Sequence, residues 1–287
     1  MRSYVPDYEL VAPESLDEML RLMSREHGVW RPIAGGTDLM VLFEAGKLPY
    51  RKLVSLSRIH QLRGFTASAS HVTLGGLTTY TEIQRNEIMQ REFPLLVKAA
   101  SWTGAVATQN RGTLAGNIAN GSPAADSPPA LLVYDAEIGL LSERDVRWTK
   151  YASFHTGYKA SLMEPDEVIA HISLPRNTWG CKHYLRKVGT RQAQAIAKVA
   201  LAGLAKMNDG AVERIRIALG SVAPMPVRCV KTENVLAGRM LDRSAIDEAK
   251  AAIAAEIAPI DDIRSTADYR RRVTVNLLEE FLESLLQ

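Results

Sequence analysis

The sequence predicts an α+β protein assembled in three consecutive parts, and three observations lead there. A capped amphipathic helix, a short apolar run and a glycine turn open the chain. A glycine- and asparagine-rich stretch, RGTLAGNIANGSPAAD at 111–126, divides a middle region of short segments. Three strand-like runs followed only by helical ones close it. On this reading residues 1–55 form a small α/β unit, 56–177 a mixed unit, and 178–287 an antiparallel sheet backed by helices. A chain of 287 residues is long enough for several cores.

Each element has its own signal. Ser15 with Glu18 three residues on reads as a capping box opening a helix through about Arg25, with Gly28 ending it. Val29–Ile33 reads as a strand, followed by the turn AGGTD and a helix that Thr37 is placed to cap and Gly46 to stop. Leu53–Leu56 and His71–Leu74 read as strands, 78–85 as a short helix and 93–101 as a buried one. After the central stretch, Ser127-Pro128-Pro129 leads into an apolar helix, with strands at 136–141 and 168–172. Further strands are expected at 181–188, 196–204 and 212–219, the last two joined through Asn208-Asp209-Gly210. Helices follow at 232–236, 244–257 and from 266 onward, the last with leucines at 277, 278, 282, 285 and 286.

Composition excludes several classes of function. A net charge of +3 with no basic block longer than Arg270–Arg272 gives no footprint for nucleic acid. No apolar run reaches the roughly 20 residues of a membrane span. The N-terminus has no signal-peptide core, so a cytoplasmic protein is expected. The two cysteines, Cys181 and Cys229, are too few for a zinc or iron–sulfur centre. The six histidines show no metal spacing, and His71 and His171 read as structural. No metal site is expected on this chain, so any redox chemistry calls for a bound organic cofactor.

The two glycine stretches carry the chemical signal. Glycine lets backbone approach a ligand closely, and consecutive N–H groups in such turns make an anion-binding concavity. Neither stretch is a Walker loop or a Gly-x-Gly-x-x-Gly fingerprint. Neither contains lysine, so an anion there would be held by N–H dipoles and helix starts.

Four stretches now occur in order: AGGTDL at 34–39, TLAGNIANGSPAAD at 113–126, KVGTRQAQAIAKV at 187–199 and ALGSVAPMPVR at 218–228. Together they resemble the FAD-binding medium subunit of the molybdenum hydroxylases, the group that includes the xanthine dehydrogenase and carbon monoxide dehydrogenase families. The resemblance spans essentially the whole chain. It implies a two-part FAD-binding domain of the vanillyl-alcohol oxidase/PCMH type and a C-terminal domain of CO dehydrogenase flavoprotein type. It places Ile33, Ala34, Gly35, Gly36, Thr37, Asp38 and Leu39 around the FAD diphosphate. Thr113, Ala115, Gly116 and Asn117 would hold it from the other side, with Ala119 nearby. It places Asp126 at the ribityl or flavin portion and Lys187 near the isoalloxazine. Ala115 stands where the family has a first glycine, and Thr190 where it has an arginine. Tyr184 is the candidate aromatic for the ring.

The activity implied is electron transfer. Substrate is oxidised on a large molybdopterin-binding partner, and electrons pass through a small [2Fe–2S] partner to FAD here. They leave to NAD+, a quinone or another acceptor, and the assembly is a dimer of heterotrimers. FAD is expected to be non-covalent, because neither glycine stretch contains histidine or cysteine. Apolar residues 118–125 are candidates for partner contact. A self-contained FAD oxidoreductase of the same fold and a cofactor-free scaffold are the alternatives.

Overall fold

The computed structural model describes residues 7–191 and 194–287. Gln192 and Ala193, inside the third of the four stretches, lie outside the described residues.

The first part is a parallel sheet of β1 (Glu9–Val11), β2 (Trp30–Ile33) and β3 (Lys52–Ser55), in the order β1-β3-β2. Helix α1 (Leu16–Arg25) buries Met19, Leu20 and Met23 in a core shared with Trp30, Val54 and Ile59. Its predicted capping box is half made. The Glu18 N–H donates to Ser15 Oγ at 3.2 Å, but the Glu18 carboxylate accepts from the Glu14 N–H. Helix α2 (Leu39–Glu44) has Asp38 at its N-cap with no side-chain bond, so Thr37 is not its cap. Gly46, with φ 66°, follows its end.

The second part is an antiparallel sheet of β4 (Phe65–Ala67), β5 (His71–Gly75), β6 (Glu137–Leu141), β7 (Val146–Lys150) and β10 (Val168–Pro175). The hairpin β8 (His155–Gly157) and β9 (Ala160–Ser161) projects before β10. Strand β10 is nearly all buried and takes the centre of the order β4-β5-β10-β6-β7. Between β5 and β6 run α3 (Tyr80–Arg85), α4 (Glu87–Glu92), α5 (Pro94–Trp102), α6 (Val106–Gln109), α7 (Leu114–Asn120) and α8 (Pro128–Val133). Helix α3 starts on a complete capping box between Thr79 and Glu82. The glycine-rich stretch read as a loop is helical in its middle. Thr113 Oγ1 accepts the Gly116 N–H at 3.1 Å to begin α7, and Gly121 ends it at φ 62°.

The third part is an antiparallel sheet of β11 (Lys182–Val188), β12 (Val199–Asn208), β13 (Ala211–Gly220) and β14 (Val227–Arg228). Asp209 and Gly210 take φ 47° and 81°, the two positive values a tight hairpin needs. Helices α9 (Val230–Leu236), α10 (Arg243–Glu256) and α11 (Ala267–Leu285) cover one face, burying Leu277, Leu278, Leu282 and Leu285 while Leu286 stays exposed. Gly203 is required beneath Phe281, whose ring would stand 2.5 Å from an added β-carbon. The other face joins the core of the second part through Leu185, Ala202, Leu204 and Ala218. Arg216 and Arg228 secure this junction by donating to the Val133 and Leu132 carbonyls at the end of α8. Both guanidiniums also pair with Asp135, and Arg228 with Glu233. That gives Arg228, the last residue of the stretch at 218–228, a structural task.

Candidate functional site

A cleft of about 580 Å³ opens between the first and second parts, within the range of roughly 300–1,000 Å³ common to cofactor sites. One wall is the turn 34–39 leading from β2 into α2, and the facing wall is α7 with the residues before it. The walls are in contact at one end. A β-carbon on Gly35 would stand 1.9 Å from the Arg111 carbonyl oxygen, and one on Gly112 would stand 3.3 Å from Thr37 Oγ1. Arg111 Nε donates to the Gly35 carbonyl at 3.4 Å across the same contact. The Gly35 position therefore has no room for a side chain, and Gly36 takes φ 72°, which a side chain disfavours. Among the described residues the N–H groups of Gly35, Gly36, Thr37 and Asp38 meet no backbone acceptor. Successive free donors in a glycine turn suit an anion.

Helix α7 presents Thr113, Gly116, Asn117 and Asn120 to the cleft, the spacing of a single helical face. Its start is fixed by a bridge between Thr79 and Thr113 and by the Leu114 N–H donating to the Thr78 carbonyl at 3.0 Å. Asn117 Oδ1 is buried without a hydrogen-bond partner. A buried amide oxygen in that state is costly and calls for a donor from a ligand. Tyr80, 3% exposed, also lines the cleft, and burial pushes its hydroxyl well above the usual range, so it stays protonated.

Of the residues singled out from sequence, Ala34, Gly35, Gly36, Thr37, Asp38, Leu39, Thr113, Ala115, Gly116, Asn117 and Ala119 all line this one cleft. Ile33, Asp126 and Lys187 do not. Ile33 packs beneath Gly36, its Cδ1 3.5 Å from where a β-carbon would be. Asp126 and Lys187 pair with each other at 2.7 Å, with side chains only 11% and 2% exposed. Burial pushes the Asp126 carboxyl up to about 6 against the opposing pull of Lys187. Its Oδ1 is buried with no partner, and its charge is felt at the Tyr80 hydroxyl. The pair thus lies within electrostatic reach of Tyr80.

One expectation is overturned. Side chains alternate along β11, so Leu185 and Lys187 face the second part while Tyr184 faces α11. Tyr184 packs on Phe281 with ring centroids 5.2 Å apart and is not available to the cleft. Within residues 118–125, Ile118 is fully buried in the core of the second part, while Ala119, Asn120, Ser122, Pro123 and Ala124 are half-buried.

The cleft also recruits residues the sequence did not single out. Arg31 lies over the Tyr50 ring, 4.9 Å from its centroid, and both line the outer end. Lys159 enters from the β8–β9 hairpin, with Ser161 and Met163 beyond it. A lysine at a hairpin tip carries no signal of its own in sequence. His171 stacks on Trp148 and His71 bonds Ser70, both away from the cleft. Among the described residues no group of three or more His, Cys, Asp or Glu side chains is placed to hold a metal ion, and no helix is long and apolar enough to cross a membrane.

A glycine turn with unspent N–H donors, opposed by a polar helix face across an elongated cleft, defines a domain for an extended anionic cofactor. Comparison with known proteins makes this specific. Residues 6–177 match the FAD binding domain in molybdopterin dehydrogenase, and residues 184–285 the CO dehydrogenase flavoprotein C-terminal domain. The xanthine dehydrogenase FAD-binding subunit of Escherichia coli O157:H7 is 30% identical over 83% of this chain and 82% of its own. The glyceraldehyde dehydrogenase medium chain of Sulfolobus acidocaldarius is 31% identical, covering 94% and 95%. Among solved structures, a carbon monoxide dehydrogenase chain from Hydrogenophaga pseudoflava superposes with a TM-score of 0.92 at 28% identity, over 97% of this chain and 96% of that one. The chain belongs to the FAD-binding medium subunits of the molybdenum hydroxylase family, and it is a flavoprotein component of an oxidoreductase.

The residues present fit FAD. The free N–H groups at 35–38 suit a diphosphate, Asn117 Oδ1 lacks a donor, and the contact at Gly35 leaves the wall bare of side chains.

Proposed function

We propose that this chain holds FAD non-covalently along the cleft and relays electrons from [2Fe–2S] clusters on a small partner subunit to NAD+, a quinone or another acceptor. Oxidation of substrate would take place on a large molybdopterin-binding partner, and the complex would be a dimer of heterotrimers. The observation that carries this reading is the interlocked pair of walls at Gly35 and Arg111, with its row of unspent N–H donors.

Residues 34–39 would hold the diphosphate from one side, and Thr113, Ala115, Gly116, Asn117 and Ala119 from the other. The rigid contact between walls keeps the N–H donors aimed without reorganisation when charge arrives. Bound FAD supplies the capacity to accept electrons singly or in pairs and to pass them on. Asp126 and Lys187 would bear on that capacity as a fixed buried charge pair in a region of low dielectric. Asp126 Oδ1 is buried and still without a donor. Family membership and the medium-chain relatives support the assignment of partners.

The test is isolation of the native complex through a tag on this chain, followed by metal and flavin analysis and an acceptor screen. Molybdenum, iron and FAD co-eluting with the chain is the expected result. A chain that elutes alone with FAD and turns over an organic substrate would overturn the assignment of partners.

A further inference from the structure

We propose that Lys159 is a cofactor-holding residue: the β8–β9 hairpin carries its ammonium group to a phosphate oxygen of the bound dinucleotide. The inference rests on the reading of the cleft as the FAD site, and three independent features lead to it.

The first is the charge lining the cleft. The glycine turn offers N–H dipoles but no cationic side chain, and Asp38, Glu164 and Glu167 also line the space. Glu167 is satisfied by Arg147 at 2.6 and 2.8 Å. Arg31 is engaged over the Tyr50 ring. Neither Lys159 nor Arg31 has a carboxylate within 4.0 Å among the described residues, and with Arg31 resting on the Tyr50 ring, Lys159 is the lining cation with no side-chain partner.

The second is the backbone. Tyr158 and Lys159 form the two-residue turn between the paired residues Gly157 and Ala160, and Lys159 takes φ 54°. That conformation suits glycine or asparagine, and a lysine there is uncommon. A residue kept in a disfavoured conformation at the rim of a ligand site points to a use for its side chain.

The third is the support. Helix α7 ends at Gly121, where a β-carbon would stand 3.2 Å from Lys159 Cα, so the hairpin tip rests on the end of the helix that presents Asn117 and Asn120. The base of the hairpin is anchored by the Leu162 N–H donating to the Phe154 carbonyl at 3.0 Å and by Tyr151 Oη against His155 Nε2 at 3.2 Å. The backbone from which the side chain springs is therefore held at a defined place beside the end of α7.

The experiment uses the full chain with Lys159→Gly, Lys159→Asn and Lys159→Arg. Two quantities are read: the thermal midpoint of the cofactor-free protein, and the Kd for FAD and for ADP at low and high salt. Glycine and asparagine should leave the cofactor-free midpoint unchanged or raise it. They should weaken FAD and ADP by about tenfold at low salt, as loss of one charge-assisted contact implies, and flatten the salt dependence. Arginine should stay close to wild type. Wild-type affinity for FAD in the glycine variant would overturn the proposal and leave the FAD reading intact. A cofactor-free midpoint that falls in step with affinity would show a structural role and overturn it too. A wild-type chain that takes up no FAD would remove the cofactor reading and this proposal together.

Discussion

Gly35→Ala tests whether the walls of the cleft work as one unit. The added β-carbon would stand 1.9 Å from the Arg111 carbonyl oxygen and 3.1 Å from the Gly112 nitrogen. Ordinary contact begins near 3.4 Å, so the walls must part by about 1.5 Å at the point where they touch. The obstacle is backbone on both sides, which cannot swing away as a flexible side chain would. Overpacking of this kind costs about 1–3 kcal/mol of stability. Parting the walls also moves the N–H donors of residues 35–38 off their anion, and each such bond lost is worth about 1.5–3 kcal/mol. The Kd for FAD should therefore rise by at least about tenfold, and by about a hundredfold if two donors are lost. Gly46→Ala is the control: it sits at φ 66° with open space around it, so it strains the backbone without touching the cleft. It should lower the thermal midpoint and leave the Kd unchanged. Flavin fluorescence titration and thermal melts of the cofactor-free proteins read both quantities. A Gly35→Ala protein with wild-type Kd would show that the contact between the walls does not position the donors.

Further expectations concern α7 and the buried ion pair. Thr113→Ala removes the cap on Gly116 and should cost about 1 kcal/mol in a denaturant titration, with weaker FAD binding. Asp126 ordinarily titrates near 3.8 and is raised to about 6 here, so the folded state binds its proton more tightly than the unfolded state does. Its contribution to stability is thus present below about 4, is lost as pH rises to about 6, and is constant above that. Asp126→Asn should abolish that descent and, because it leaves the Lys187 ammonium buried without its anion, should also cost stability at neutral pH; a descent that persists in the variant would contradict the assignment. Lys187→Met leaves the Asp126 carboxylate buried without its cation. It should lose about 3–5 kcal/mol at neutral pH and recover towards pH 4, whereas a loss independent of pH would show the pair is not responsible. Acid or heat should release intact FAD from the loaded chain; flavin retained on denatured protein would contradict non-covalent binding.

Much of this architecture was legible because it rests on local chemistry. Asn208-Asp209-Gly210 announces a hairpin through residues that tolerate positive φ, and the leucines of α11 announce their buried face by spacing. The glycine turn at 34–39 was legible for the same reason, although the contact that demands Gly35 lies at Arg111, far along the chain. What stayed hidden depends on tertiary pairing. Strand β10 lies between β5 and β6, so the central strand of the second part is the last of them in sequence. The glycine-rich stretch concealed α7 because Gly116 and two asparagines lower its intrinsic helix propensity, while the Thr113 cap and the burial of Leu114 and Ile118 compensate. Tyr184 was misread because one residue of register along β11 decides between the cleft side and α11. Arg31 and Lys159 reach the cleft from a strand and a hairpin whose relation to it only the fold creates.

This chain is predicted to carry electrons without itself oxidising an organic substrate. The most direct measurement is anaerobic absorption spectroscopy of the isolated chain loaded with FAD and offered purines, aldehydes, carbon monoxide or aromatic thioesters. The flavin band is predicted to stay oxidised with each of them, and to bleach with the true substrate only once the molybdenum and [2Fe–2S] subunits are added back. Rapid bleaching by any of these substrates in the isolated, metal-free chain would show that it oxidises substrate by itself.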